Sequence, residues 1–322
     1  MLANNKTTAP SNPKKGIRRG RRLGEIERRE ERAFYIIILP YLLFMIVIKG
    51  IPFVQGILLS FTNYNGFNID SLSVVGLSNY ARVFKDGDAI SSIVRTFGFT
   101  LVLVPVVTII SILLSLMLCR NIKGQGIFRT IYYLPSILPA TAVVLMWKGM
   151  YQQNGGLFNQ IAMALGQQNI NWFDFEHVQS ALYIMLLWGA GSGVLVNIAA
   201  MKAVPEELYE AATIEGAGYI KRTTKITLPL IANMIYMSIV TSLVGYLQLF
   251  AQPVMLTGTG TGNLAALPLK PVYTFMVHAY QQIFVNARFG YGLALIWVIF
   301  IIIMLLTMIM EYTSKYWAYN GE

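Results

Sequence analysis

Predominantly apolar runs recur along the chain at a length that spans a bilayer, roughly 20 residues per helix. Six are evident: Ala33–Ser60, Thr96–Cys119, Ile127–Trp147, Ser180–Met201, Ile226–Phe250 and Gly290–Met310. The first is interrupted by Lys49, Gly50 and Pro52. Its uncharged part is short, so its helix is expected to continue past a kink at Pro52. None of the fully apolar cores holds an Asp, Glu, Lys or Arg. The pattern predicts an all-α integral membrane protein with about six transmembrane helices.

The polar segments between the runs set an orientation. Arg120, Lys123 and Arg129 lie in the second connection, and Lys202, Lys221, Arg222 and Lys225 in the fourth. The third connection, 149–179, carries Asp174 and Glu176 with no Lys or Arg. By the positive-inside rule, the N-terminus, the two basic connections and the C-terminus are expected in the cytosol. Residues 61–90, 149–179 and 251–289 are then expected outside. Arg82 and Lys85 run against the rule, but Asp86 and Asp88 flank them. Within the last outer segment, 264–286 is fairly apolar yet holds Pro268, Lys270, Pro271, His278, Gln281 and Gln282. An interfacial helix starting near Pro271 suits it better than a seventh span.

Two organisational units follow: a basic cytosolic tail, 1–32, and a transmembrane domain, 33–322, with a polar cytosolic loop at 203–225. The tail up to about Gly24 is polar and expected to be disordered; Glu25–Arg32 is helix-prone and runs into the first span. The first span is expected to be retained, because no small-residue cleavage site follows it.

Composition sharpens this reading. The chain is 55% hydrophobic and 12% charged, about half the charge fraction of soluble domains, and its mean hydropathy is +0.55. The net charge of +10 could suggest nucleic acid, but the basic tail abuts a span. That placement reads as a topology signal that touches anionic lipid, and nucleic acid is not expected as a partner. Cys119 is the single cysteine, and the two histidines, His177 and His278, have no metal-ligand spacing. Gly258, Gly260 and Gly262 form no phosphate loop, since no Lys-Ser/Thr follows and no strand precedes them. No catalytic residues, metal site or cofactor of this chain's own are expected.

The most specific segment is Glu210–Pro229, EAATIEGAGYIKRTTKITLP. Pro205 suits a helix start, and Glu206 and Glu207 favour the positive end of a helix dipole. Ala211 and Ala212 are small enough to seat closely in a cleft, and Gly216 permits a tight bend before a second short helix. The order Glu210-Ala211-Ala212, Gly216, Ile226, Leu228-Pro229 resembles the EAA loop of ABC importer permeases.

Other segments resemble the larger permease of maltose-type sugar importers: Leu39-Pro40 with Ser60–Asn63, Val75–Tyr80, Phe128-Arg129 with Pro135, Trp147 and Gly156–Asn159, and Phe289–Tyr291 with Ala294. Glu215 stands where the family has Asp, and the Gly258–Gly262 stretch replaces its Gly-Gly-Pro. The resemblance implies a type I importer permease in the bacterial cell membrane. It also implies four kinds of partner: a second homologous permease, a dimer of ATPase subunits that bind ATP and Mg, an extracytoplasmic solute-binding protein, and lipid. Glu210, Ala211, Ala212 and Gly216 would form the ATPase-docking surface, with Glu210 pairing an Arg of the ATPase.

At helical spacing, Met185, Trp188, Gly189 and Ser192 share one face of the fourth span. Ser242, Gly245, Tyr246 and Leu249 do so on the fifth, with Gln248 and Gln252 beside them. The resemblance places both faces over sugar-lining positions, with only Gly189 and Ser242 matching in type. The competing reading is helix packing by small and aromatic residues. For function, the expectation is a permease for a sugar or oligosaccharide. Glycerol phosphate or a polyamine would require a basic or acidic pocket, and a stand-alone carrier usually hides ionisable groups in its core.

Overall fold

A computed structural model describes residues 25–68, 70, 72–120, 123–257 and 268–315, and their regular elements are helical. The expectations for the tail up to Gly24 and for Gly258–Gly262 lie outside the described residues. The chain divides into two compact units, Met1–Gln55 and Gly56–Glu322.

The first unit contains α1 (Glu25–Met45), a π turn (Ile46–Gly50) and the beginning of α2 (Ile51–Ser60). Pro52 cannot donate a backbone hydrogen bond. The ladder widens just ahead of it: the Ile51 N–H donates to the Ile46 carbonyl, five residues back. The interruption expected at Pro52 is therefore a π turn inside one long helix, Arg28–Ser60.

The second unit runs through α3 (Ser78–Val83), α4 (Gly87–Leu118), α5 (Gln125–Ile137), α6 (Ala140–Met150) and α7 (Leu157–Ala164). Next come α8 (Val178–Trp188), a 3-10 segment (Gly189–Gly193) and α9 (Val194–Lys202). The loop expected to couple to a partner contains α10 (Glu206–Ile214) and α11 (Tyr219–Arg222), and a π turn (Thr223–Thr227) leads to α12 (Leu228–Leu230). Then follow α13 (Ala232–Leu247), α14 (Ala251–Thr257), α15 (Phe275–Tyr280) and α16 (Phe289–Ser314).

Among the described residues, four continuous helices are long and apolar enough to cross a membrane: Arg28–Ser60, Gly87–Leu118, Val178–Lys202 and Phe289–Ser314. With each of two bent pairs taken as one span, the number is six. The third expected run is not one helix, because α5 and α6 meet at 104°. Pro139 disfavours helical backbone at the residue before it, and Leu138 is extended with ψ 138°. The fifth is likewise bent, by 67°, between Tyr219–Leu230 and α13.

The helix α4 organises the unit, packing against α13, the 3-10 segment, α9, α8 and α15. It begins ahead of the expected span because Asp86 caps it, accepting from the Asp88 and Ala89 N–H groups. Two of its buried hydroxyls are satisfied locally, Thr96 donating to the Ser92 carbonyl and Thr100 to that of Thr96, both at 2.8 Å. Gly191 is needed for close packing on α5: a Cβ there would overlap the Tyr132 carbonyl.

Several residues that carried the family resemblance are structural ties. Asn79 Nδ2 donates to the Ser60 and Thr62 carbonyls at 2.8 Å each, and Tyr80 and Ser60 share a 2.7 Å hydroxyl bond. Asn159, fully buried, accepts the Ile170 N–H at 2.9 Å and donates to the Ile170 carbonyl at 2.9 Å.

The expectation of an interfacial helix near Pro271 is corrected. Pro271 sits in a 3-10 turn, and the helix starts at Phe275. Phe275 and Ala279 are buried in a core with Leu247, Tyr291 and Leu295. This segment is inserted into the unit because its polar groups find internal partners. The Phe275 N–H donates to Thr96 Oγ1 at 2.9 Å, and Thr274 Oγ1 donates to the Leu249 carbonyl at 2.6 Å. His278 meets the Tyr273 hydroxyl through Nδ1 at 2.9 Å, and its Nε2 faces Asp86 Oδ2 at 3.5 Å. Burial pushes the His278 imidazole below its usual range, partly offset by the Asp86 carboxylate. Asp86 is raised by burial, but the Tyr291 hydroxyl and the N–H groups of Ala89 and Asp88, with His278, outweigh that and lower it.

Candidate translocation pathway and coupling loop

A cavity of about 610 Å³ lies between α4, the 3-10 segment and the end of α13. It gathers seven of the nine expected pathway residues. Ser192 comes from the fourth span. Ser242, Gly245 and Tyr246 come from α13, Gln248 and Leu249 from the turn after it, and Gln252 from α14. Trp188 and Gly189 line an adjoining space of about 160 Å³ that shares Gln252. The nine residues thus line two neighbouring spaces.

Within this set the side chains differ. Ser192, Gly245 and Gln248 are exposed to the cavity, whereas Leu249 is 4% exposed and belongs to the core. Tyr246 and Trp188 are half-buried and pack on an aromatic cluster that includes Trp147, Tyr151 and Phe99. Trp188 stands edge-on to Trp147 at 6.0 Å. Met185, expected on the same face as Trp188 and Ser192, is 3% exposed in that core. Met185 still lines the smaller space with Trp188 and Gly189, whereas Ser192, further along the 3-10 segment with its three residues per turn, lines the larger cavity.

A second cavity, about 310 Å³, continues the first through Val107, Ser192, Thr241 and Ser242. Its polar lining includes Thr108, Ser111, Asn197 and Ser238. Asn197 is buried, and its Nδ2 donates to Ser111 Oγ at 3.1 Å. Its Oδ1, and Thr108 Oγ1, have no partner among the described residues. A buried polar atom left unpaired costs about 1–3 kcal/mol, so these atoms are poised for water or a solute hydroxyl. Sequence reasoning assigned no pathway residue to α4. The signal was present, since Thr108, Ser111 and Ser115 follow i, i+3 and i+7 in an otherwise apolar run. Neither cavity is lined by Asp, Glu, Lys, Arg or His.

The loop after α9 is two short helices around a sharp break. Pro205 precedes the first turn of α10, which holds Glu206 and Glu207. The Ala217 N–H donates to the Ala212 carbonyl at 2.8 Å, and the Gly216 N–H to that of Thr213 at 3.0 Å. This is a Schellman cap, with Gly216 at φ +77°. A side chain there would cost about 1 kcal/mol, because only glycine enters the left-handed region without strain. Glu210 and Ala211 are exposed and Ala212 half-buried. Ile214, at 88% exposure, and Ile220, at 76%, add apolar surface.

Residues 75–316 match the family described as the binding-protein-dependent transport system inner membrane component. The chain belongs to that family. Among the permease's relatives is the probable ABC transporter permease protein YesP of Bacillus subtilis (strain 168). It is 30% identical over 298 residues, covering 91% of this chain and 93% of YesP. The trehalose/maltose transport system permease protein MalF of Thermococcus litoralis is 31% identical over 241 residues, covering 74% of this chain and 81% of its own. In fold, the permease is similar to the crystal structure of a bacterial ABC transporter involved in the import of the acidic polysaccharide alginate. The TM-score is 0.76 at 19% identity, with 89% of this chain and 96% of that chain covered. The permease is thus a multi-pass inner membrane component, and the six-span helical expectation agrees with its architecture.

Proposed function

We propose that this permease conducts a neutral sugar or oligosaccharide, handed over by an extracytoplasmic binding protein, through the two joined cavities. The observation that carries the reading is their lining: hydroxyls, carboxamides and the Tyr246 phenol set among apolar side chains, with no Asp, Glu, Lys, Arg or His. A sugar offers hydroxyls to the former and a flat C–H face to Tyr246. A phosphate ester, a uronate or a polyamine would meet no countercharge there, and an unpaired charge in such a site is strongly disfavoured. Relatives named for trehalose/maltose and for arabinooligosaccharides support the sugar class.

In this reading α10 docks on an ATPase subunit through Glu210, Ala211, Ala212 and Gly216, with ATP and Mg bound by the ATPase pair. A second permease completes the pathway. Both termini and the basic connections face the cytosol, supported by the clustering of Lys and Arg there. Closure of the ATPases then shifts the permease between two access states.

Transport in proteoliposomes holding the whole importer and its binding protein tests the substrate class. Neutral oligosaccharides should be taken up with ATP, and glycerol phosphate, uronate oligomers and spermidine should not. ATP-driven uptake of a charged solute in preference to every neutral saccharide would overturn the reading.

A further inference from the structure

Beside the loop, a pocket of about 270 Å³ opens between the end of α4 and the stretch from α10 to the π turn after α11. It shares no lining residue with the two pathway cavities. Its charged lining residues are Arg120 and Arg222, and no carboxylate lines it. The Arg120 guanidinium lies over the Tyr219 ring at 5.3 Å. Arg222 Nη1 donates to Thr213 Oγ1 at 2.8 Å, while its Nε is buried without an acceptor. Neither arginine is ion-paired among the described residues. A third guanidinium, that of Arg129, is tied to the Leu118 carbonyl at the same end of α4, and its Nε is also buried and unpartnered. Leu116 and Met201 add apolar surface to the same lining.

Cations without countercharge, and buried N–H groups without acceptors, call for an anion with several oxygens. The planar fork of arginine matches phosphate, to which it donates two parallel hydrogen bonds. We propose that this pocket binds a phosphate group, carried by a phospholipid headgroup or free in solution. The pocket lies where the apolar run of α4 ends, the level at which basic pockets between helices take lipid headgroups. Its mixed lining suits a headgroup with the start of its acyl chains. An occupant would bridge Arg120 to Arg222 and so brace α11 against α4, independently of which solute the pathway carries.

Cys119, the single cysteine of the chain, lines the same pocket and reports its occupancy. The importer, assembled with its partner subunits in nanodiscs, is treated with an uncharged maleimide, and alkylation of the Cys119 peptide is followed by mass spectrometry. One arm compares discs of digalactosyldiacylglycerol, a lipid with no phosphate, with discs that also contain phosphatidylglycerol. The other adds inorganic phosphate, against chloride at equal ionic strength, to the galactolipid discs. Occupancy should slow alkylation several-fold in at least one arm; the first identifies a headgroup and the second a soluble anion. Arg222→Gln and Arg120→Gln should each remove the protection, and Arg222→Lys should retain part of it. If Arg222→Gln does not assemble, Arg120→Gln, at an exposed helix end, decides. No slowing in either arm overturns the proposal. So does slowing that persists undiminished in the glutamine variants, the behaviour of a general surface potential.

Discussion

Tyr246 is the residue on which the sugar and packing readings diverge most. Its ring packs on the aromatic cluster while also lining the larger cavity. Loss of one aromatic partner costs about 1 kcal/mol, close to a fivefold change in affinity or rate. Tyr246→Ala should therefore lower saccharide uptake several-fold, shift preference between two saccharides, and leave assembly and basal ATPase activity near normal. Failed assembly with unchanged preference would make Tyr246 a packing residue only. Tyr246 was legible in the sequence because its helical face combined Ser242, Gly245 and an aromatic ring. Thr108, Ser111 and Asn197 were not chosen. A hydroxyl in an apolar run more often bonds back to its own helix, as Thr96 and Thr100 do, and only the structure shows which hydroxyls face space.

At the scale of elements, α10 and its cap make a self-contained unit. Glu210 and Ala211 are exposed while the Schellman bonds fix the loop from within. Glu210→Lys should change the stability of the chain by no more than about 0.5 kcal/mol, as surface substitutions do. If Glu210 pairs an ATPase arginine, reversing its charge should cut stimulated ATPase activity and uptake roughly tenfold or more. Full activity in assembled Glu210→Lys importer would remove the case for docking here. The positions of α10 and of the glycine break were legible because proline, paired acids and Gly216 act locally on the backbone. The breaks at Leu138 and Ile231 were harder to read. Hydropathy stays high across them, and an apolar run does not report whether its helix turns by 104° on the way.

For the whole molecule, the sidedness of the connections decides whether α10 can reach an ATPase. With Cys119→Ser as background, single cysteines at Gly155 and Gly218 should label from opposite sides of the membrane with an impermeant maleimide. Gly155 should react from outside, and Gly218 only after permeabilisation. Labelling of both from outside would sink the six-span arrangement. The four continuous spanning helices were legible from run length alone, because a bilayer imposes one thickness on every crossing. The inserted segment around Phe275 was not, since burial of Thr274, His278 and Gln282 depends on partners far away in sequence.

The contact between Gly191 and the Tyr132 carbonyl carries a mechanical consequence. Backbone touching backbone leaves no side chain to deform, so α5 and the 3-10 segment behave as riveted parts. Beyond the rivet, α9 runs nine residues toward the loop, roughly 14 Å at 1.5 Å per residue. Only Ala203, Val204 and Pro205 separate it from α10. A displacement applied at α10 enters a short, stiff lever whose pivot sits beside Ser192. The wall of the larger cavity is in that sense the far arm of α10.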